Sequence, residues 1–387
     1  MSAAGNPSAP LATRGPVLVV GTGLLGTSLA LALTSAGVPV QLADTSPTSL
    51  ALARDMGAGQ VRDEHSAEPA LIVVATPPDV AAGVVLRELA AHPDAVVTDV
   101  ASVKARIAAE VRRHGGREAR RYVGSHPMAG RERSGAAAAD SDLFAGHPWV
   151  VVADGSAPEA ELAVRNLAVD VGATPVRMNA AEHDAAVAAV SHVPQLVSSL
   201  LAARLESTPE NALGLAGQGL RDTTRIAASD PRLWSAIVVG NAGPVVDMLR
   251  QLRGDLDTLI NGIAPAAVDP GDPAYTAAGD AATIAPGAVG AITDLMTRGN
   301  AGQARIPGKH GGAPRRYAQV QVLVPDSAGS LGRLFSDVGE AGVNIEDFAM
   351  EHSPGQSAGL AMLSVMPAAA QGLEEALDAR GWRVVVS

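Results

Sequence analysis

Pro16-Val17-Leu18-Val19-Val20-Gly21-Thr22-Gly23-Leu24-Leu25-Gly26 begins as an apolar run and breaks into three glycines at fixed spacing. The run reads as a buried strand. Leu25, Leu29 and Leu33 then recur at helical spacing as far as Gly37, and a second strand-like run, Val38 to Ala43, ends in Asp44. Strand, glycine turn, helix, strand, acid is the order that lays a dinucleotide pyrophosphate on a helix N-terminus. Gly21 permits the tight turn, Gly23 lets the backbone approach phosphate, and Gly26 lets the helix pack closely on the sheet. Leu24 and Leu25, inside the same turn, count with them as cofactor-binding positions. Asp44 lies 18 residues beyond Gly26. There it is placed to accept from a ribose 2′- and 3′-hydroxyl pair and to repel a 2′-phosphate, and no Arg follows it directly. NAD is therefore expected over NADP. The competing reading is a glycine turn of another α/β protein, with Asp44 as a helix cap.

Outward from this stretch, residues 16–181 alternate strands and helices and read as an α/β Rossmann-type domain. Strand candidates are 17–20, 38–43, 71–75, 95–99, 121–124, 148–153 and 174–178. Leu71-Ile72-Val73-Val74-Ala75 is uniformly apolar, as a parallel strand buried on both faces requires. It ends in Thr76-Pro77-Pro78, a rigid loop beyond a strand's carboxyl end, where such sheets place their ligands; Thr76 and Pro77 are expected beside the cofactor ribose. From Glu182 the strand signal vanishes. Helical stretches over 183–206, 210–227, 231–263 and 273–298 predict an all-α domain, 182–300. Residues 301–316 have linker composition. Strand and helix signals over 317–387 then follow the order βαββαβ, which suits a small ferredoxin-like α+β domain.

The length of 387 residues suits two or three domains, and 47% hydrophobic residues can fill large cores. Aromatic residues are only 2%, so Ala, Val and Leu must build those cores. A net charge of −11 argues against a nucleic-acid partner. The chain has no cysteine, which excludes disulfides, thiol nucleophiles and thiolate metal sites. Residues 1–15, rich in Ala, Pro and Ser, read as a disordered tail and not a signal peptide. No apolar run suggests a membrane span. A soluble, cytoplasmic protein is expected.

Four segments concentrate polar residues among apolar surroundings. They are Thr98 to Lys104; Gly124-Ser125-His126-Pro127-Met128-Ala129-Gly130 with Arg131-Glu132-Arg133-Ser134-Gly135; Glu182-His183-Asp184 with Ser191-His192-Val193-Pro194; and Arg221-Asp222-Thr223-Thr224-Arg225 continuing to Trp234. With VVGTGLLGTSLA at the start, these segments resemble the prephenate dehydrogenase family, which oxidises prephenate or arogenate on the way to tyrosine. The resemblance covers residues 16–298. The C-terminal VLVPDSAGSLGRLFSDVGEAGVNIEDF resembles an ACT domain, a module that commonly binds amino acids.

The resemblance implies a substrate with a ring hydroxyl and two carboxylates, and hence an acceptor for the hydroxyl proton and cations for the carboxylates. His126 is the expected partner of the hydroxyl: an imidazole is largely neutral near pH 7, and Pro127 holds its backbone extended. Ser102 resembles the family serine that shares the hydroxyl, and it equally suits a helix cap ahead of Lys104. The usual Gly before that serine is Ala101 here. Lys104 either neutralises phosphate or is solvated. Arg225 matches the family's substrate arginine, whose fork grips a carboxylate bidentately. Arg221 is expected on the same helix face, with Asp222 positioning one of the two. His192 either binds the substrate side chain or fills the kink made by Pro194. A second family histidine is replaced by Gln195. Glu132 either hydrogen-bonds at the site mouth or is a solvated loop charge. His183 and Asp184 lie near the domain junction and read as structural. The histidines lack metal-ligand spacing, so no metal is expected.

The resemblance also implies a homodimer through the helical domain, in keeping with an Ala-rich helical surface. It implies that tyrosine or another amino acid binds near Pro325–Leu331 and Asn344-Ile345, although Asp326-Ser327-Ala328-Gly329 lacks the usual Asp-x-Pro-Gly turn. Arogenate competes with prephenate as substrate. A β-hydroxyacid dehydrogenase would need a Lys in 183–206, which holds none. A cofactor-binding amino-acid sensor without catalysis is the reading of another class.

Overall fold

The structure, a computed structural model, describes residues 11–130, 135–267, 286–307, 317–351 and 358–385. It divides into two compact units. The first runs to Pro209 and resumes over Thr223–Leu252; the second comprises Glu210–Asp222 and Arg253 onward.

The first unit is built on β1 (Val17–Val20), α1 (Leu24–Ser35), β2 (Val40–Ala43), α2 (Pro47–Asp55), β3 (Gln60–Val61), β4 (Leu71–Val74), α3 (Pro78–Ala91), β5 (Val96–Asp99), α4 (Ala105–His114), β6 (Tyr122–Pro127), β7 (Pro148–Val152), α5 (Pro158–Asp170) and β8 (Thr174–Arg177). These strands form one sheet, ordered β3-β2-β1-β4-β5-β6-β7-β8. Its pairs are parallel except β6–β7, where Ser125 opposes Val151 and His126 opposes Val150 in antiparallel register. Chain order reverses between β1 and β4. The carboxyl ends of those two strands, at Gly21 and Ala75, therefore flank the crevice where a doubly wound sheet takes its ligand. Both strands are buried along their whole length, as their Val/Ile/Leu runs require. The two-residue β3 has no apolar run and was not among the expected strands.

A helical segment follows: α6 (Ala180–Val187), a π-helical turn (Ala188–His192) and α7 (Val193–Arg204), then α8 (Glu210–Leu213), α9 (Gln218–Thr224), α10 (Pro231–Gly240) and α11 (Ala242–Ile263). The expected stretch 210–227 is thus broken. Arg225 opens a 3₁₀ turn instead of continuing the helix of Arg221, so their four-residue spacing does not place them on one regular helix face. The expected stretch 231–263 breaks at Asn241. The run Ala180–Ser207, 28 residues, is long and apolar enough by composition to cross a membrane, contrary to the expectation that no such run exists. It carries His183, Asp184 and His192 buried on one side, while Val190, Val197, Leu200 and Leu201 are exposed.

In the second unit, α12 (Pro286–Gln303) packs beside the end of α11: a Cβ at Gly262 would stand 2.5 Å from Ala291 Cβ. Arg298 bonds Asp294 at 2.9 Å and Asp255 at 3.2 Å. The helix reaches into the first residues of the expected linker. Then come β9 (Ala318–Pro325), α13 (Ser330–Glu340), β10 (Asp347–Glu351), β11 (Ala358–Val365), α14 (Pro367–Ala379) and β12 (Arg383–Val385). The four strands form an antiparallel sheet, β10-β11-β9-β12, with two helices in βαββαβ order. Gly329 takes a left-handed φ of 90° ahead of α13, a turn that favours glycine.

Candidate active site

The glycine turn is shaped as its sequence requires. Gly21 adopts φ +103°, and a Cβ there would lie 2.5 Å from the Ala75 carbonyl. A Cβ on Gly26 would lie 1.9 Å from the Gly21 carbonyl, whereas one on Gly23 would meet nothing within 4 Å. Backbone fills the space around the first and third glycines; the middle one faces open space. Leu24 and Leu25 start α1 there and are partly buried. At the neighbouring strand end, Thr76 Oγ1 is buried without a hydrogen-bond partner among the described residues, beside an exposed Pro77. A donor-rich cradle, an open glycine and an orphaned hydroxyl fit a dinucleotide. Asp44 is largely committed: Oδ2 accepts from Thr22 N at 2.6 Å and Thr22 Oγ1 at 2.8 Å, and Oδ1 accepts from Ser46 N at 2.7 Å. Those bonds hold the carboxylate beside the glycine turn, fill both lone-pair directions of Oδ2 and leave one on Oδ1.

His126 stands near the end of β6, partly buried. Its Nδ1 lies 2.9 Å from His183 Nε2, with the rings edge to face, and His183 Nδ1 lies 2.8 Å from Asp184 Oδ1. The Asp184 carboxylate caps α4, accepting from Lys104 N at 2.8 Å and Ala105 N at 2.9 Å. The start of α6 explains this placement. Asn179 and Glu182 make a reciprocal capping box, and Asp154 accepts from Ala180 N at 2.9 Å, so His183 and Asp184 are fixed one turn into the helix. The same Asp184 offers its carbonyl to Asn241 Nδ2 at 2.7 Å, and Asn241 Nδ2 lies 3.0 Å from His192 Nδ1. Asn241 occupies the break between α10 and α11; His192 closes the π turn, just before Pro194. Trp234 meets the His192 ring edge to face.

Burial dominates the titration of these groups. It pushes the His126 imidazole well below the usual histidine range, and His183, Lys104 and His192 push it the same way. Burial lowers His192 to about 4 despite the Asp184 carboxylate. Both rings are neutral at pH 7. Asp184 is held below its ordinary range: burial raises it, but the His183 hydrogen bond and the two backbone amides of α4 outweigh that cost.

Lys104 overturns both of its expected roles. It is fully buried, and its ammonium pairs with Asp99, whose other oxygen accepts from Tyr122 Oη at 2.6 Å. It is neither solvated nor turned to a phosphate. Ser102, two residues earlier, sits partly buried on the loop between β5 and α4. Gln195 is buried and bonds the Ile226 carbonyl at 2.7 Å, while Ser198 Oγ bonds the Thr223 carbonyl at 2.7 Å. Two side chains of α7 thereby brace the turn that exposes Arg225. Asp222 is exposed, its carboxylate accepting from Gln218 at 2.7 Å. Glu132, with Arg131, Arg133 and Ser134, lies outside the described residues. The sequence reading missed His183, Asp184 and Asn241 as parts of the site. Among the described residues no cluster of three His, Cys, Asp or Glu side chains could hold a metal ion.

Two family models match the chain. Residues 29–176 match the prephenate dehydrogenase nucleotide-binding domain, and residues 179–270 match the prephenate dehydrogenase dimerization domain. "Probable prephenate dehydrogenase NovF" of Streptomyces niveus is 34% identical over 368 residues, which cover 94% of this chain and 98% of that protein. The structure of prephenate dehydrogenase from A. aeolicus in complex with hydroxyphenyl propionate and NAD+ is similar with a TM-score of 0.60 at 26% identity, over 74% of this chain and 97% of that one. Synechocystis arogenate dehydrogenase is similar with a TM-score of 0.55 at 28% identity, over 64% and 91%. The glycine turn at the sheet's reversal point, the histidine at the end of β6 and this end-to-end similarity agree: the chain belongs to the prephenate dehydrogenase family.

Proposed function

We infer that the protein is an NAD-dependent oxidoreductase that converts prephenate to 4-hydroxyphenylpyruvate and CO₂ in tyrosine biosynthesis. The observation that carries this reading is a neutral His126, hydrogen-bonded through one ring nitrogen within the protein, on the same sheet as a glycine turn shaped for a dinucleotide. Gly21, Gly23, Leu24, Leu25 and Gly26 hold the pyrophosphate, Asp44 the adenosine ribose, and Thr76 and Pro77 line the cleft. NAD+ supplies the hydride acceptor. His126 takes the proton from the ring hydroxyl as hydride leaves the same carbon, and Ser102 shares that hydroxyl. The ring ketone then draws the electrons of the C–CO₂⁻ bond; CO₂ departs, the ring becomes aromatic, and His126 returns its proton to the phenolate. Arg225 grips a substrate carboxylate, and His192 meets the side chain.

The similarity to an arogenate dehydrogenase keeps arogenate as the second substrate to test. Absorbance at the NADH band, with prephenate or arogenate and NAD+ or NADP+, decides between them. No reduced cofactor with either substrate would favour the non-catalytic sensor. The helices expose Val190, Val197, Leu200 and Leu201 in the first unit, and Leu256, Ile260, Ile292 and Met296 in the second. Such apolar surface supports a homodimer, which equilibrium sedimentation checks. The C-terminal βαββαβ unit supports an ACT-like effector domain that takes tyrosine or another amino acid near Pro325–Leu331 and Asn344-Ile345; calorimetric titration that detects no amino acid would reject it. A soluble, cytoplasmic enzyme is the matching placement.

A further inference from the structure

We propose that Asp184 sets opposite tautomers on the two site histidines, leaving His126 Nε2 a bare lone pair and His192 Nε2 an N–H donor. The inference rests on the reading above only for what those two nitrogens meet in a substrate.

The first branch runs through the Asp184 side chain. Backbone N–H groups can only donate, so the bonds from Lys104 N and Ala105 N, at 2.8 and 2.9 Å, hold the carboxylate as an ionised acceptor. His183 Nδ1, 2.8 Å from Oδ1, must then carry a proton. A second proton on Nε2 would bury an imidazolium in a wholly enclosed position, in a region that already holds the Lys104 ammonium. His183 Nε2 is therefore the acceptor, and His126 Nδ1, 2.9 Å away, is the donor. A neutral imidazole has one N–H. His126 spends its proton on His183, and its Nε2 is bare.

The second branch runs through the Asp184 backbone. A carbonyl only accepts, so the 2.7 Å contact fixes which end of the Asn241 amide faces it; a flipped amide would set oxygen against oxygen. The other hydrogen of the same NH₂ group points to His192 Nδ1 at 3.0 Å. His192 Nδ1 accepts, and its ring proton sits on Nε2. One aspartate thus prepares one imidazole to take a hydrogen and the other to give one. The first suits an alcohol that must lose its proton, the second a carbonyl or carboxylate oxygen.

The arrangement also matters while charge develops. Moving the hydroxyl proton to His126 Nε2 makes an imidazolium whose Nδ1–H already points at His183, backed by the Asp184 carboxylate. The electron pair of the broken O–H bond stays on the substrate oxygen and forms the ring carbonyl as hydride departs to the nicotinamide. His183 and Asp184 are positioning residues here, because they act through His126.

The test is 15N-histidine spectroscopy on the full-length protein, assigned with His126→Asn and His192→Asn. The proton is expected on Nδ1 of His126 and on Nε2 of His192. His183→Gln can accept from His126 and donate to Asp184, so it should preserve the His126 tautomer and keep kcat within about tenfold of wild type. His183→Leu removes both bonds. It should mix the tautomers and lower kcat by about 10- to 100-fold, a part of what general-base assistance supplies, with prephenate KM and NAD+ affinity within about threefold. A proton on His126 Nε2 in the wild type would overturn the proposal, as would equal kcat losses in the two variants with the tautomer intact. The wild-type spectrum decides even if His183→Leu fails to fold. A wild type that makes no NADH from prephenate would sink the functional reading while leaving the tautomers measurable.

Discussion

Gly23→Ala and Gly26→Ala add the same methyl group three residues apart and should do different things. The Gly26 methyl would stand 1.9 Å from the Gly21 carbonyl and 3.0 Å from Ala75 Cβ, so neither neighbour is the yielding end of a flexible side chain. The start of α1 must move off β1. Overpacking of this kind costs about 1–3 kcal/mol, and in a unit of this size each kcal/mol lowers Tm by about 2–4 °C. A fall of about 2–12 °C follows. NAD+ affinity should fall too, because the displaced turn is the proposed pyrophosphate cradle.

At Gly23 the backbone has φ −75° and ψ −161°, which alanine adopts freely, and the new methyl meets nothing. Losing glycine from this helix cap should change stability by no more than about 1 kcal/mol. On the proposed reading the methyl enters the space a phosphate would take, so NAD+ should bind at least about tenfold more weakly, equivalent to about 1.4 kcal/mol. Thermal melting followed by circular dichroism and NAD+ titration calorimetry read the two effects separately. Equal Tm losses in the two variants, or unchanged NAD+ affinity in Gly23→Ala, would refute the assignment of open and filled space.

Lys104→Met should destabilise by about 3–5 kcal/mol in urea, because Asp99 stays buried without its cation; adding Asp99→Asn should recover part of that loss. Gln195→Ala removes one of two side-chain bonds to the Ile226 carbonyl, the other coming from Ser229 Oγ at 2.7 Å, and should cost about 0.5–1.5 kcal/mol. By loosening the turn that carries Arg225, it should also raise KM for prephenate more than for NAD+. His192 titrates near 6.5 when unfolded and about 4 when folded, so the unfolded chain binds more protons between those values. Its contribution to stability is therefore complete above 6.5 and is lost as pH falls towards 4; His126 acts in the same direction, and His192→Gln should flatten that acid limb in pH-dependent melts.

What the sequence made legible follows from where each signal resides. The glycine turn and the buried β1 and β4 runs are local patterns, each contained within about ten residues, and the sheet has them as read; the acid after β2 stands hydrogen-bonded to that turn. β3 escaped notice because two residues cannot show alternation. Lys104 was misread because lysine is usually solvated. Its partner Asp99 stands five residues away across a strand end, and nothing in that spacing says both will be enclosed.

The histidine network is harder to see because its links are long-range in sequence. His126 and His183 are 57 residues apart, and Asp184 reaches 80 residues back to the amide of Lys104, just ahead of α4. Local cues nonetheless existed. Asn179-Ala180-Ala181-Glu182 is a capping-box pattern, and an adjacent His-Asp pair one turn into a capped helix has a fixed direction. Gly240-Asn241, with Pro244 three residues on, is a helix stop that was read through as one long helix. A Cβ at Gly240 would come within 3.0 Å of Val103, on the loop that also carries Ser102 and Lys104. The glycine that ends α10 is therefore also what lets that helix approach this loop. A helix break that looked like punctuation is a packing requirement, and it leaves Asn241 between Asp184 and His192.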